Sequence, residues 1–193
     1  KMKNLIIIGG GGHAISCLEI INSLKKFKII GIVDKNKPKL IKNNKYKFFN
    51  SKDENSELIN KAKYFFIAIG NYKKIKLRNQ LFNYYLKKGL KPAKIISKNA
   101  IVSKDAIISD GSIIMNSCII NAGTFIGKNC IINTSSIIEH ETKILDNSII
   151  STSVTINGQC SIGKSCFIGS GSVMSNNIEI KNNSFYKIGS IIK

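Results

Sequence analysis

Apolar and polar positions follow two different rhythms along this chain, and the change comes near residue 91. Through the second half an apolar residue recurs at every sixth position: Ile95, Ile101, Ile107, Ile113, Ile119, Phe125, Ile131 and Ile137. After a one-residue offset a second series runs Ile144, Ile150, Ile156, Ile162, Ile168, Met174 and Ile180. A helix repeats at about 3.6 residues and a strand at two, so neither has this period. A hexapeptide repeat predicts a β-helix whose coils each hold three short strands, with one inward side chain per strand. Stacked coils bury their apolar side against one another. The step from Ile137 to Ile144 is one residue too long, and Glu139-His140-Glu141 lies inside it. An inserted residue of this kind re-aims side chains, as bulges do beside active sites.

The first half alternates strand and helix patterns. Leu5–Ile8 reads as a buried strand, Gly9–Gly12 as a turn, and 13–27 as a helix with Ile15, Leu18, Ile21 and Leu24 on one face. Lys28–Val33 and Tyr64–Ile69 read as strands and Lys74–Lys88 as a helix closed by Gly89. The polar stretch Lys35–Asn60 holds at most a short strand near Tyr46–Phe48 and a short helix near Asn55–Ala62. Strand–helix–strand order predicts a small parallel sheet of Rossmann-like type. Pro92 breaks the last helical pattern, and the hexads start at once with Ile95. The expected domains are therefore 1–91, α/β, and 92–193, β-helix. Gly127, Gly163 and Gly169 are expected at coil corners that need a positive φ.

Composition narrows the classes. The formal net charge is +19, but the lysines are scattered and only Lys73-Lys74-Ile75-Lys76 with Arg78 approaches a cluster. With no nucleic-acid motif beside them, they favour anionic small molecules over nucleic acid. No apolar run is long enough to span a membrane, and no secretory leader precedes Leu5, so a cytoplasmic protein with no membrane contact is expected. The five cysteines, Cys17, Cys118, Cys130, Cys160 and Cys166, form no CxxC pair. Reduced buried thiols are expected, with no disulfide and no metal.

Two motifs carry chemistry. Gly9-Gly10-Gly11-Gly12-His13-Ala14 follows a strand and opens a helix, the place where glycines let a backbone approach a phosphate. Asp34 ends the second strand, where dinucleotide folds hold an acidic ribose ligand. About ninety residues are few for a full dinucleotide fold, so a nucleotide sugar suits the space better than NAD. The plain alternative is a tight turn without ligand. Gly70-Asn71 follows the third strand; Asn71 is either a ligand contact or a helix cap. His140 is one of two histidines and lies between two glutamates. A carboxylate on one ring nitrogen would leave the other as a base, and Glu139 or Glu141 could supply it. A solvated polar corner is the alternative.

These residues resemble a known group. The strand-glycine turn-histidine segment Leu5–Ala14, the stretch Asn133-Thr-Ser-Ser-Ile-Ile-Glu-His-Glu141 and Ile67-Ala-Ile-Gly-Asn71 together resemble the hexapeptide acyltransferases that acetylate bacterial sugars. The resemblance is narrower with the sialic-acid O-acetyltransferases and the UDP-4-amino-sugar N-acetyltransferases of bacillosamine type. It implies a left-handed β-helix, a homotrimer with active sites between neighbouring subunits, and acetyl-CoA as co-substrate without a metal. It implies His140 as general base and Glu141 as its orienting carboxylate. It implies Gly9, Gly11, Gly12, His13, Asp34, Gly70 and Asn71 on the nucleotide-sugar side. Gly158 would offer its N–H to the thioester oxygen, with Ser151 and Gly169 along the wall for CoA. The chain departs from the group at Ile149, where many members have a second histidine, and in the segment Ser184–Lys193, which lacks a glycine-rich ending. The expected activity is N-acetylation of a nucleotide-linked amino sugar. The alternatives are O-acetylation of a sialic-acid-like sugar, a non-catalytic nucleotide-sugar binder, and an NAD-dependent enzyme.

Overall fold

The computed structural model describes residues 2–38, 46–53 and 55–193. The chain divides into two compact units, Lys1–Ala93 and Lys94–Lys193. Part of the polar stretch 35–60 thus lies outside the described residues. No helix among the described residues is long and apolar enough to cross a membrane.

The first unit is a five-stranded parallel sheet flanked by helices. Its strands are β1 (Lys3–Ile8), β2 (Phe27–Asp34), β3 (Phe48–Asn50), β4 (Tyr64–Ile67) and β5 (Lys91–Pro92), in the order β3-β2-β1-β4-β5. Leu5 to Ile8 are buried, as the near-continuous apolar run of a central parallel strand requires. Proline fits β5 because that strand is at the sheet edge, where one backbone N–H fewer costs nothing. This strand carries the unit two residues past the expected boundary.

Helix α1 spans Gly12–Leu24 and stops at Lys25, which adopts the left-handed conformation. Its buried face is Ala14, Cys17, Leu18, Ile20 and Ile21, so the expected face is corrected at Ile15, which is exposed. Helix α2 spans Ser56–Lys61, and α3 spans Ile75–Lys87 after a single 3-10 turn at Tyr72–Lys74. Helix α3 buries Arg78, Phe82 and Tyr85, and Phe82 meets Phe65 of β4 edge-on at 5.5 Å. One end of the sheet collects the turns after β1 and β4. Strand order reverses there, and open α/β sheets bind ligands at such points.

The second unit is built from two-residue strands in three parallel sheets of six, five and six strands. Strands eighteen residues apart pair with one another: Ile119 with Ile137, Ile137 with Thr155, Phe125 with Lys143. This register corrects the expected insertion near His140. Lys143, not Ile144, continues the column of Ile107 and Phe125. The first series is the outward position of each strand, and the second is the inward one. Ile126, Ile138, Ile144, Ile156 and Ile162 are fully buried in the interior stack. Each such isoleucine contributes about 1.5–3 kcal/mol of burial. The coil around His140 holds no extra residue and no bulge.

The corners correct a second expectation. The positive φ falls on Gly111, Ser117, Gly123, Asn129, Ser135, Glu141 and Asn147, and continues at this six-residue spacing to Gly189. Gly127, Gly163 and Gly169 lie elsewhere and are glycine for another reason. A Cβ on Gly163 would stand 2.5 Å from the Asn182 backbone nitrogen, and one on Gly169 would stand 2.5 Å from that of Ile188. Close approach of the next coil, not φ, excludes a side chain there.

In one of the three sheets, from Ser112 on, the residue before each strand is serine or cysteine and forms a polar ladder. Ser112 Oγ donates to the Gly127 carbonyl at 2.6 Å and accepts from the Cys130 N–H. Ser148 repeats the pattern with Gly163 and Cys166. Cys130 Sγ and Cys166 Sγ stand in for the hydroxyl, donating to Leu145 and Lys181 carbonyls at 3.3 and 3.1 Å. All five cysteines are buried free thiols.

Candidate active site

Two groups of site residues form, one in each unit. In the first unit the glycine turn bridges β1 and α1. Gly9 has φ near +99°, and a Cβ there would stand 2.7 Å from Ile69. Gly10 N–H donates to Asp34 Oδ2 at 2.6 Å, and Asp34 Oδ1 accepts from the Lys35 N–H. Asp34 therefore braces the turn, and both its oxygens are engaged by the backbone. Gly11 and Gly12 face open space. Helix α1 starts at Gly12 without a side-chain cap and without an acidic residue in its first turn. Its first N–H groups and positive end are thus available to an anion.

His13 lies in that first turn, and its ring packs on Gly70. A Cβ on Gly70 would stand 2.7 Å from His13 Cγ. His13 Nε2 is sealed from solvent without a hydrogen-bond partner. Burial first, and the nearby Arg78 charge second, push its pKa down to about 4, so the ring is neutral near pH 7. Asn71 Oδ1 accepts from the Lys73 N–H at 3.0 Å and caps the 3-10 turn. The fold thus gathers Gly9, Gly11, Gly12, His13, Asp34 and Gly70 at the switch point, with Asn71 adjacent in a capping role.

Arg78 belongs to the same place and is absent from the sequence-based candidates. It is buried, and it donates to the carbonyls of Ile67 at 3.2 Å and Ile69 at 2.6 Å.

In the second unit His140 and Glu141 occupy one corner. His140 Nδ1 lies 3.3 Å from Glu141 Oε2, and Gln159 of the next coil donates its amide to the same oxygen at 3.1 Å. Glu139 turns the other way, accepting from Asn121 Nδ2 at 2.8 Å. Glu141, not Glu139, is therefore the carboxylate on the imidazole. With the proton held at Nδ1, Nε2 keeps its lone pair. That edge of the ring lies over Gly158: a Cβ there would stand 2.6 Å from both Nε2 and Cε1. The Gly158 carbonyl accepts from the Asn177 N–H at 3.0 Å, while among the described residues its own N–H enters no backbone hydrogen bond.

Ser151 and Gly169 share a column at a different corner. Ser151 Oγ meets Ser170 Oγ at 2.8 Å, and Gly169 is packed under the next coil. Within one chain they are not brought beside His140. Ile149 is a buried strand residue. Among the described residues, no group of three or more His, Cys, Asp or Glu side chains is gathered as a metal site.

Residues 4–85 match the family described as the PglD N-terminal domain. No curated protein matches the sequence. Among solved structures, the acetyltransferase domain of PglB from Neisseria gonorrhoeae, in complex with acetyl coenzyme A, superposes with a TM-score of 0.88 at 23% identity. The match covers 100% of this chain and 92% of that one. A mutant of perosamine N-acetyltransferase from Caulobacter crescentus, in complex with CoA and GDP-perosamine, gives 0.89 at 23%, covering 100% and 90%. WeeI from Acinetobacter baumannii gives 0.78 at 19%, covering 100% and 92%. Residues 4–85 are thus similar to the PglD N-terminal domain, and the whole chain has the fold of these structures: a small Rossmann-like unit followed by a left-handed parallel β-helix of hexapeptide repeats.

Proposed function

We propose that this chain is an acetyl-CoA-dependent acetyltransferase acting on the amino group of a nucleotide-linked sugar, with His140 as general base. The observation that carries the reading is the His140–Glu141 contact, which leaves Nε2 over the backbone of Gly158. An amine held near Nε2 loses its proton to His140 as it adds to the thioester carbonyl. The developing oxyanion takes a hydrogen bond from the Gly158 N–H, and the CoA thiolate leaves. Glu141 holds the tautomer and offsets the charge of the imidazolium. Acid–base assistance of this kind contributes about 10²–10⁴-fold in rate.

In the first unit the open N-terminus of α1, with Gly11, Gly12 and His13, suits the diphosphate of a nucleotide sugar. The similar structures bound to CoA with GDP-perosamine and to acetyl coenzyme A support both co-substrates. The test is free-thiol release from acetyl-CoA across UDP- and GDP-linked 4-amino sugars and free sialic acids, with wild type and His140→Ala. Release with a nucleotide-linked amino sugar, lost in the variant, is expected. Release only with sialic acids moves the reaction to O-acetylation. Full activity in His140→Ala removes His140 as the base, and silence with every acceptor removes the catalytic reading.

A further inference from the structure

Lysine dominates the basic residues of this chain. Of the 30 lysines and arginines only Arg78 is an arginine. That one arginine is almost fully buried. A chain that uses lysine at every other basic position keeps the guanidinium where its shape matters. The planar fork can donate along two directions at once, which a point ammonium on a flexible stem does poorly. One terminal nitrogen of the guanidinium, Nη1, donates to both the Ile67 and Ile69 carbonyls at the carboxyl end of β4.

The contacts then lead to the site. Ile69 precedes Gly70, and Gly70 is the surface on which the His13 ring rests. Ile69 also sits against Gly9, 2.7 Å from a Cβ built there. One buried side chain therefore fixes the segment that supports both the first glycine of the turn and the histidine of α1. His13 Nε2, sealed and without a partner, has hydrogen-bonding capacity left unspent. A buried polar atom left so costs about 1–3 kcal/mol, and an arriving phosphate oxygen would recover it.

We propose that Arg78 is a positioning residue for nucleotide binding: it pins the end of β4 so that Gly70 holds the His13 ring in place to meet a phosphate at the start of α1. This rests on the reading of the first unit as a nucleotide-sugar site. Arg78 touches no substrate in this scheme and acts through His13.

The test measures UDP and GDP affinity by calorimetry for the full chain and for Arg78→Lys, His13→Ala, Gly70→Ala and the Arg78→Lys/His13→Ala double variant. Arg78→Lys keeps the charge and loses the fork. Gly70→Ala leaves Arg78 alone and drives a methyl group into the ring. Each single variant is expected to weaken the tighter-bound nucleotide about tenfold or more. The double variant should lose no more than the worse single, because Arg78 works through the ring. The signal of the His13 imidazole, distinguished from His140 with the His140→Ala variant, should shift in Arg78→Lys while that of His140 stays. Wild-type affinity in Arg78→Lys, fully additive losses, or an unmoved His13 signal each overturn the positioning role and leave the nucleotide-sugar reading standing. A wild-type protein that binds neither UDP nor GDP overturns both.

Discussion

Glu141 occupies a corner position where a long acidic side chain is out of place. Its φ is +57°, in a column otherwise filled mainly by glycine, asparagine and serine. A side chain with a Cβ in that region costs roughly 1–2 kcal/mol, less for asparagine. Gln159, the other long side chain in the column, is the residue that bonds it. Backbone strain kept at the carboxylate proposed to orient His140 is the pattern expected of a site that trades stability for geometry. Glu141→Asn should therefore raise the melting temperature and lower kcat by about 10²-fold or more; a lower melting temperature with unchanged kcat would detach the strain from function. Gly158→Ala is the complementary experiment. Its backbone is not in the left-handed region, and the three atoms nearest the added methyl group all belong to the His140 ring. Acetyl transfer should fall at least as far as in Glu141→Asn, with the fold retained by circular dichroism. His13 supplies a pH dependence. Its pKa falls from 6.5 to about 4 on folding, so between those values the unfolded chain binds a proton that the folded chain refuses. Stability is then full above about pH 6.5, declines as the pH falls, and levels off below about 4. The contribution is on the order of 3 kcal/mol. Urea unfolding at pH 7 and pH 4.5 should give a smaller difference for His13→Gln than for wild type; equal differences would mean that His13 does not titrate this way.

Elements were legible in the sequence where one periodicity acted alone. The run Leu5–Ile8, the glycine turn and the hexads needed no tertiary information, because a buried parallel strand and a stacked coil impose their own spacing. The failures came where two signals overlapped. Most strands of the second unit before Lys143 are Ile-Ile, so inward and outward columns look alike until the outward one turns polar at Lys143. The inward isoleucines then read as a shifted continuation, and a column change took the appearance of an insertion. Glycines misled similarly: Gly163 is required by a neighbouring coil that is eighteen residues away in sequence. Arg78 had a readable signal, being the single arginine in a lysine-rich chain, but its burial depends on the packing of α3 against β4. The polar ladder gives a direct check on this level. Cys130→Ser keeps a donor to the Leu145 carbonyl and should be nearly neutral. Cys130→Ala abandons it and should cost about 1 kcal/mol. Gly163→Ala should cost about 1–3 kcal/mol by overpacking. Equal melting temperatures across the three would remove both the ladder and the close approach as sources of stability.

At the scale of the whole molecule, the β-helix leaves an apolar ladder on one outward face. Ile101, Ile119, Ile137, Val173 and Ile191 share a column interrupted by Thr155, and Ile101 and Ile191 are 68% and 73% exposed in the single chain. An unpartnered apolar column of this kind is a surface for association. The corner that follows this sheet carries His140 and Glu141, whose side chains are about half exposed. A general base works best where water is excluded and neighbouring dipoles are fixed, and an open corner supplies neither alone. Both observations are met if copies of the chain pack through this face and close the corner of a neighbour, giving the homotrimer implied by the resemblance to the sugar acetyltransferases. Sedimentation should then give three times the 21.3 kDa of one chain. Ile101→Glu with Ile191→Glu should yield a folded monomer in which acetyl transfer is lost together with the assembly, although neither residue lies at the His140 corner. A monomeric variant with wild-type kcat would place the complete active site within one chain and leave the apolar column without a role in catalysis.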